Sequence, residues 1–323
     1  MLVSILCKSE CVLGESPLWL HERNSLMWVD IERKMVFEYN WNNKQMYYWQ
    51  LEKRVSLLLP SCDDNKLILG MQGGLANFDL SENRFQWLLD IEKEIDINRC
   101  NDGACDAYGR LWVGTMSIHL DKGAGSLYVL DEDFSLQKKI EEVSIPNGIV
   151  WSLDNKRMYF IDSIRQCVQS YLFDIKTGDL IYEKTAIQIP ESLGTPDGMT
   201  IDEEGMLWIA HYGGFGVFRW NPVTGDLIEK ISLPVPNVTS CIFGGKNLDI
   251  LFVTTARQEL SEDDLLKYPE SGNLFCSKTK VKGFQTSTFK IENTLKTKGD
   301  PVFYPKFTAS NGLTLKNNRG KIC

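Results

Sequence analysis

Four places in this 323-residue chain set an acid or an amide at nearly one distance ahead of a short apolar strand. Glu15 in "LGESPLW" lies fifteen residues before Asp30, and Asn147 in "SIPNGIVWS" lies fifteen before Asp162. Asp197 in "GTPDGMTID" lies thirteen before Ala210, and Asn101 in "RCNDGACDAYG" thirteen before Gly114. Asn-Gly and Asp-Gly pairs are common in tight turns, but Glu15 is no turn residue and it shares the phase. A site explains all four positions, with the glycines letting backbone pass close beside it.

Glu15, Asn147 and Asp197 together offer two carboxylates and an amide oxygen. All-oxygen donors suit one hard divalent cation, calcium first, with magnesium, manganese or zinc as alternatives. Two facing carboxylates repel each other, and a divalent cation removes that penalty. Three protein ligands leave positions open for water and substrate. The chain has only three histidines, His21, His119 and His211, which disfavours a zinc site built on imidazole. Arg99 and Asn101 form a donor set suited to hydroxyls or a carboxylate, a surface salt bridge being the other reading of Arg99. Asp102 either orients its turn and Asn101 or touches substrate.

Such residues need elements that bring them together, and the chain repeats one. "LMWVD" ends at Asp30, "KLILG" at Gly70, "RLWVG" at Gly114, "MYFID" at Asp162, "MLWIA" at Ala210 and "ILFVT" at Thr254. The intervals are 40, 44, 48, 48 and 44 residues, with strands and turns alternating between them and no helical periodicity. Six units of about 45 residues, each of about four strands, predict an all-β, six-bladed β-propeller. A β-sandwich would not repeat at a fixed period. In a propeller the innermost strands line a central channel, so residues at one phase near their starts meet at one mouth. The second unit, "LLLPSCDDNK", carries only Ser61 near this phase, and "MLVSILC" is expected to close the ring through the last blade.

Composition narrows the partners. A formal net charge of −8 and a pI near 5.1 argue against nucleic acid. No apolar run approaches the roughly 20 residues that span a bilayer, and "MLVSILCKSE" is too short and poorly flanked for a signal peptide. The expectation is a soluble, cytoplasmic protein, monomer or dimer, with no membrane partner. Nine cysteines, an odd number without C-x-x-C pairs, read as reduced and mostly buried thiols.

The stretches "LGESPLW", "NRCNDGACDAYGRLWVGTM", "PNGIVWSLDNKRMYFIDS", "PDGMTIDEEGMLWIA" and "TSCIFGGKNLDILFVTTAR" together resemble the gluconolactonase, senescence-marker-protein (regucalcin) and luciferin-regenerating-enzyme family. The resemblance runs from about residue 10 to 290, in every blade but the second. It implies a propeller with one divalent metal in the channel, held by Glu15, Asn147 and Asp197. It also implies that Arg99 and Asn101 bind a sugar lactone and that Asp197 doubles as general base. Where animal members carry a substrate-contacting acid after the Gly-Thr-Met turn, "GTMSIHLDKGAG" has His119. The propeller is assigned to 1–290, and 291–323, polar and lysine-rich, reads as a tail with no catalytic role.

The chemistry that follows is opening of a lactone. The cation polarises the carbonyl while Asp197 takes the proton of the attacking water. No Ser-His-Asp arrangement can be placed, because no histidine shares the phase of Ser16. Two alternatives stand beside this reading: a non-enzymatic calcium-binding regulator, and a phosphotriesterase or arylesterase on the same fold. A docking propeller of the WD type would need Trp-Asp and Gly-His dipeptides, which the chain lacks.

Overall fold

The computed structural model describes residues 2–290 and 298–309. The repeated strand is apolar on both faces, so each sheet it belongs to must be covered on both sides. Six sheets meet that demand by standing in a ring. Their innermost strands are Gly14–Leu20, Val55–Pro60, Asn98–Cys105, Pro146–Trp151, Thr195–Ile201 and Val238–Gly244, for blades 1 to 6. Each packs against the next, and the last against the first. Six apolar clusters sit between neighbouring blades, one per junction. The protein is a six-bladed β-propeller, as the repeat predicts.

The repeated strands are the second of each blade: Ser25–Asp30, Lys66–Met71, Leu111–Ser117, Arg157–Asp162, Leu207–Tyr212 and Ile250–Thr255. Val3–Cys7 pairs with Leu274–Lys278 as the outer strand of blade 6, so both ends of the propeller share one sheet. Trp19 stacking on Phe252 at 5.5 Å knits blades 1 and 6 at that junction. One short helix, Glu262–Lys267, stands among the strands; Ser261 and Asp264 close a capping box at its start.

The segment read as a tail is in part built into the propeller. Lys298–Phe303 adds a fifth strand beside Arg84–Asp90 in blade 2, and Phe307–Thr308 adds one beside Gln45–Gln50 in blade 1. Phe307 stacks on Tyr48 at 5.2 Å, and Lys298 pairs with Asp90 at 2.9 Å. Of that stretch, 291–297 and 310–323 lie outside the described residues. Cys323 is among them, while the other eight cysteines are all free thiols.

Every inner strand carries one extra residue close to its start. The registers slip between Glu15 and Leu18, Val55 and Leu57, Cys100 and Gly103, Asn147 and Ile149, Pro196 and Met199, and Val238 and Ser240. Such β-bulges bend the strand and re-aim a side chain, and they gather near functional sites. The Asn-Gly and Asp-Gly pairs are therefore bulge residues inside strands, not turns ahead of them. Gly148 takes a φ of +28°, and a Cβ on Gly198 would lie 2.1 Å from Ser240 Oγ. Neither position tolerates a side chain without movement.

Candidate active site at one mouth of the channel

The bulges set the phase. Glu15 to Trp28, Asn101 to Gly114, Asn147 to Phe160 and Asp197 to Ala210 are equal steps along the chain. The two-residue mismatch in the sequence spacing arises because Asp30 and Asp162 lie two residues further along their strands than Gly114 and Ala210 do along theirs, which run on to Ser117 and Tyr212. Both aspartates grip the approach to their inner strands. Asp30 accepts from the amides of Val12 (2.8 Å) and Leu13 (3.2 Å), just before Glu15. Asp162 accepts from Ser144 (3.2 Å) and Ile145 (3.0 Å), just before Asn147. A carboxylate held by backbone donors is a rigid brace, so both residues are anchored from behind.

Ser61 does not belong to this mouth. It follows the far end of the blade 2 inner strand and bridges to Phe289. The bulge places Ser56 at the equivalent position, where its Oγ donates to Cys100 O at 2.6 Å. Thr239 fills the corresponding place in blade 6 and donates to Gly14 O at 2.6 Å. Sequence spacing missed both, because a serine or threonine hydroxyl bonded to backbone carries no distinctive pattern.

Around the ring, side chains form one hydrogen-bonded run. Arg99 Nη1 donates to Cys100 O (2.9 Å) and to Asn101 Oδ1. Asn101 Nδ2 donates to Pro146 O (2.7 Å) and Asn147 Oδ1 (3.0 Å). Asn147 Nδ2 in turn donates to Ser163 Oγ at 2.8 Å. Arg99 and Asn147 are buried, and Arg99 also faces Glu32 and Glu15. Burial brings its guanidinium down to about 10, which leaves it charged at neutral pH.

Three carboxylates share this space. Burial and the nearby Asp102 push Glu15 up to about 8. Asp197 is raised well above the usual carboxylate range, by burial and then by Glu15 and Asp102. Burial pushes Asp102 up to about 6, although Gly103 N donates to its Oδ1 at 2.7 Å. Among the described residues none of the three makes an ion pair, and the only cation acting on Glu15 and Asp197 is Arg99. Excess buried negative charge beside an amide oxygen fits a hard divalent cation: Glu15, Asp197 and Asn147 have the donor chemistry, and Asp102 stands behind them.

His119 is not part of this cluster. It is exposed on the loop after Leu111–Ser117, and its backbone N–H donates to Ser117 Oγ at 3.1 Å. Below the mouth the channel widens to a cavity of about 380 Å³, bounded by all six inner strands and by Phe284–Ser287 at the far end. Asp102 lines its upper part, between the mouth and the cavity.

Residues 13–257 match the SMP-30/Gluconolactonase/LRE-like region. Regucalcin of Homo sapiens is 36% identical over 287 residues, covering 83% of this chain and 93% of that protein. The putative sugar lactone lactonase YvrE of Bacillus subtilis (strain 168) is 34% identical over 281 residues, covering 87% and 96%. Among solved structures, a luciferin-regenerating enzyme superposes with a TM-score of 0.85 at 31% identity, covering 90% of this chain and 99% of that one. Regucalcin from Agrobacterium tumefaciens str. C58, described as a calcium-binding protein, gives 0.85 at 27% identity, covering 89% and 97%.

Proposed function

Because the chain belongs to the SMP-30/gluconolactonase/LRE-like family, we propose that it is a metal-dependent hydrolase that opens a sugar lactone or a similar cyclic ester. The observation that carries this reading is the convergence of Glu15, Asp102 and Asp197 without an ion pair, beside Asn147 and next to Arg99 and Asn101. Glu15, Asn147 and Asp197 are the residues that would hold a divalent cation, calcium first. Bound there, the cation would supply Lewis-acid polarisation of the lactone carbonyl.

The protein's own groups supply the rest. Asp197 accepts the proton of the attacking water, as an ionised carboxylate placed beside it can. Arg99 and Asn101 orient the ring, the first through a guanidinium that donates to hydroxyl or carboxylate oxygens. Both Asn101 Nδ2 protons go to Pro146 O and Asn147 Oδ1 and one Oδ1 lone pair goes to Arg99, so Asn101 meets substrate only as an acceptor, through its remaining lone pair. Low flexibility in such a set favours the transition state geometry.

The test is to strip divalent cations with a chelator, add back calcium, magnesium, manganese and zinc singly, and assay a panel of lactones. Turnover that vanishes with the chelator and returns with one cation supports the reading. Cation binding without turnover on any lactone would instead favour the regulator reading, to which the similarity to regucalcins gives weight. Turnover of aryl esters or phosphotriesters, with lactones inert, would favour the third.

A further inference from the structure

Ser163 is buried at 3% exposure, directly after the second strand of blade 4, where a short 3-10 turn Ser163–Arg165 begins. Its hydroxyl stands between two residues of the candidate cation site. It accepts from Asn147 Nδ2 at 2.8 Å and donates to Pro196 O at 2.7 Å, and Pro196 immediately precedes Asp197. A hydroxyl has one proton. A carbonyl can only accept, so that proton is committed to Pro196. Ser163 Oγ must then be approached by a donor, and only the NH₂ end of the Asn147 amide provides one. The amide is thereby forced to present Oδ1, never Nδ2, on its other side, where Asn101 Nδ2 meets it at 3.0 Å.

That constraint matters because the two ends of an amide are nearly the same shape and opposite in chemistry. Oδ1 ligates a cation; an NH₂ group repels one. Oδ1 has two lone pairs, one taken by Asn101 and one left for a ligand bond. The same hydroxyl also ties the blade 4 strand bearing Asn147 to the blade 5 strand bearing Asp197, which fixes the separation of two residues from different blades. The backbone N–H of Ser163 donates to Ile145 O at 3.0 Å, so the serine itself is anchored to the approach of the Asn147 strand.

We propose that Ser163 is the positioning residue of the cation site: it selects the ligating atom of Asn147 and sets the distance from Asn147 to Asp197. This rests on the reading of Glu15, Asn147 and Asp197 as cation ligands. Removing an outer partner of a ligand commonly costs about 10–100-fold in metal affinity, and Ser163→Ala is expected to lose that much. Ser163→Thr keeps a hydroxyl on the same atom and is expected to restore most of it.

The experiment is calorimetric titration of chelator-treated wild type, S163A, S163T and N147A with calcium chloride, each first checked for an unchanged melting temperature without cation. The expected order of affinity is wild type and S163T together, S163A about 10–100-fold weaker, and N147A weakest. S163A binding calcium like wild type, while N147A is weak, would overturn the role of Ser163 and leave the ligand assignment standing. S163T falling as far as S163A would also overturn it if the threonine variant melts like wild type, because the hydroxyl is then not what matters. N147A binding like wild type would overturn the ligand assignment and this inference with it.

Discussion

Blades 1, 4 and 5 and blades 2 and 6 share one backbone device and use it differently. Each inner strand bulges at its start. In blades 1, 4 and 5 the residue at the bulge is Glu15, Asn147 or Asp197, with oxygens turned to the common channel. In blades 2 and 6 it is Ser56 or Thr239, whose hydroxyl is spent on a carbonyl of the neighbouring blade, Cys100 O or Gly14 O. Blade 3 stands between the two: Asn101 reaches sideways to Pro146 O and Asn147, and Asp102 adds charge. The lesson is that a repeated frame makes six equivalent stations, and side-chain identity alone decides which are candidate ligands and which are mortar. Buried acid without an ion-pair partner marks Glu15 and Asp197, and an Oδ1 lone pair left open marks Asn147. A satisfied hydrogen bond marks the second.

The largest effects should separate these groups on activity. Asp197→Asn keeps an oxygen for the cation but cannot accept the proton of water. Turnover should fall by about 10²–10⁴-fold, the range for loss of a general base, while calorimetry still detects bound cation. Loss of cation and turnover in equal measure would make Asp197 a ligand alone. Glu15→Gln should weaken cation binding as well as turnover, since a neutral amide replaces one of the two proposed carboxylate ligands. Full retention of both would move Glu15 from the ligand group to the mortar.

A second effect concerns pH. Glu15 sits at about 8 and Asp102 at about 6 in the cation-free fold, and Asp197 is also raised. Unfolded carboxyl groups lose their protons near pH 4. Between pH 4 and 8 the folded state therefore binds more protons than the unfolded one, and stability falls as pH rises. The melting temperature of chelator-treated protein should drop from pH 5 to pH 8. Added calcium should raise it more at pH 8 than at pH 5, since ligands must be deprotonated to bind. A flat pH profile in the absence of cation would show that burial does not raise these acids above their unfolded values.

Much of this arrangement was legible before any coordinates. The six strands announce themselves because a strand buried on both faces must be apolar throughout, and the ring makes that recur. Glu15, Asn101, Asn147 and Asp197 stand out because one bulge geometry puts them at one spacing. Other parts leave no such trace. Ser163 is a single serine after a strand, and only the partners of its hydroxyl distinguish it. Ser61 drew attention in place of Ser56 because the second unit offers two serines at opposite ends of its inner strand. Residues 298–308 look like a polar tail because edge pairing uses backbone, with Phe307 and Tyr304 supplying the few apolar contacts.

The mortar group should respond in stability and not in chemistry. Ser56→Ala leaves Cys100 O with only its bond from Arg99 Nη1, and Thr239→Val removes the side-chain donor to Gly14 O. Losing one buried hydrogen bond costs about 0.5–1.5 kcal/mol, read as a lower urea midpoint. Calcium affinity should stay within about twofold of wild type. A tenfold loss of affinity without destabilisation would mean that these hydroxyls belong with the ligands.

The smallest effect lies outside both groups, at His119. By resemblance to animal members an acid here would accept hydrogen bonds from substrate hydroxyls. A neutral imidazole accepts through one nitrogen, and a protonated one through none. The side chain is exposed on its loop and has no side-chain hydrogen bond among the described residues, so it is free to meet a bound ring or to miss it. If it meets the ring, His119→Glu adds one acceptor worth about 0.5–1.5 kcal/mol. The ratio of kcat/KM on six-carbon aldonolactones to that on simple alkyl lactones should then rise about two- to tenfold, with cation affinity unchanged. The ratio isolates hydroxyl recognition, because alkyl lactones carry the same reacting bond and none of the ring hydroxyls. An unmoved ratio would place the loop outside the substrate shell and leave discrimination to the Arg99 guanidinium as donor and the remaining Oδ1 lone pair of Asn101 as acceptor, both fixed within the ring of six strands.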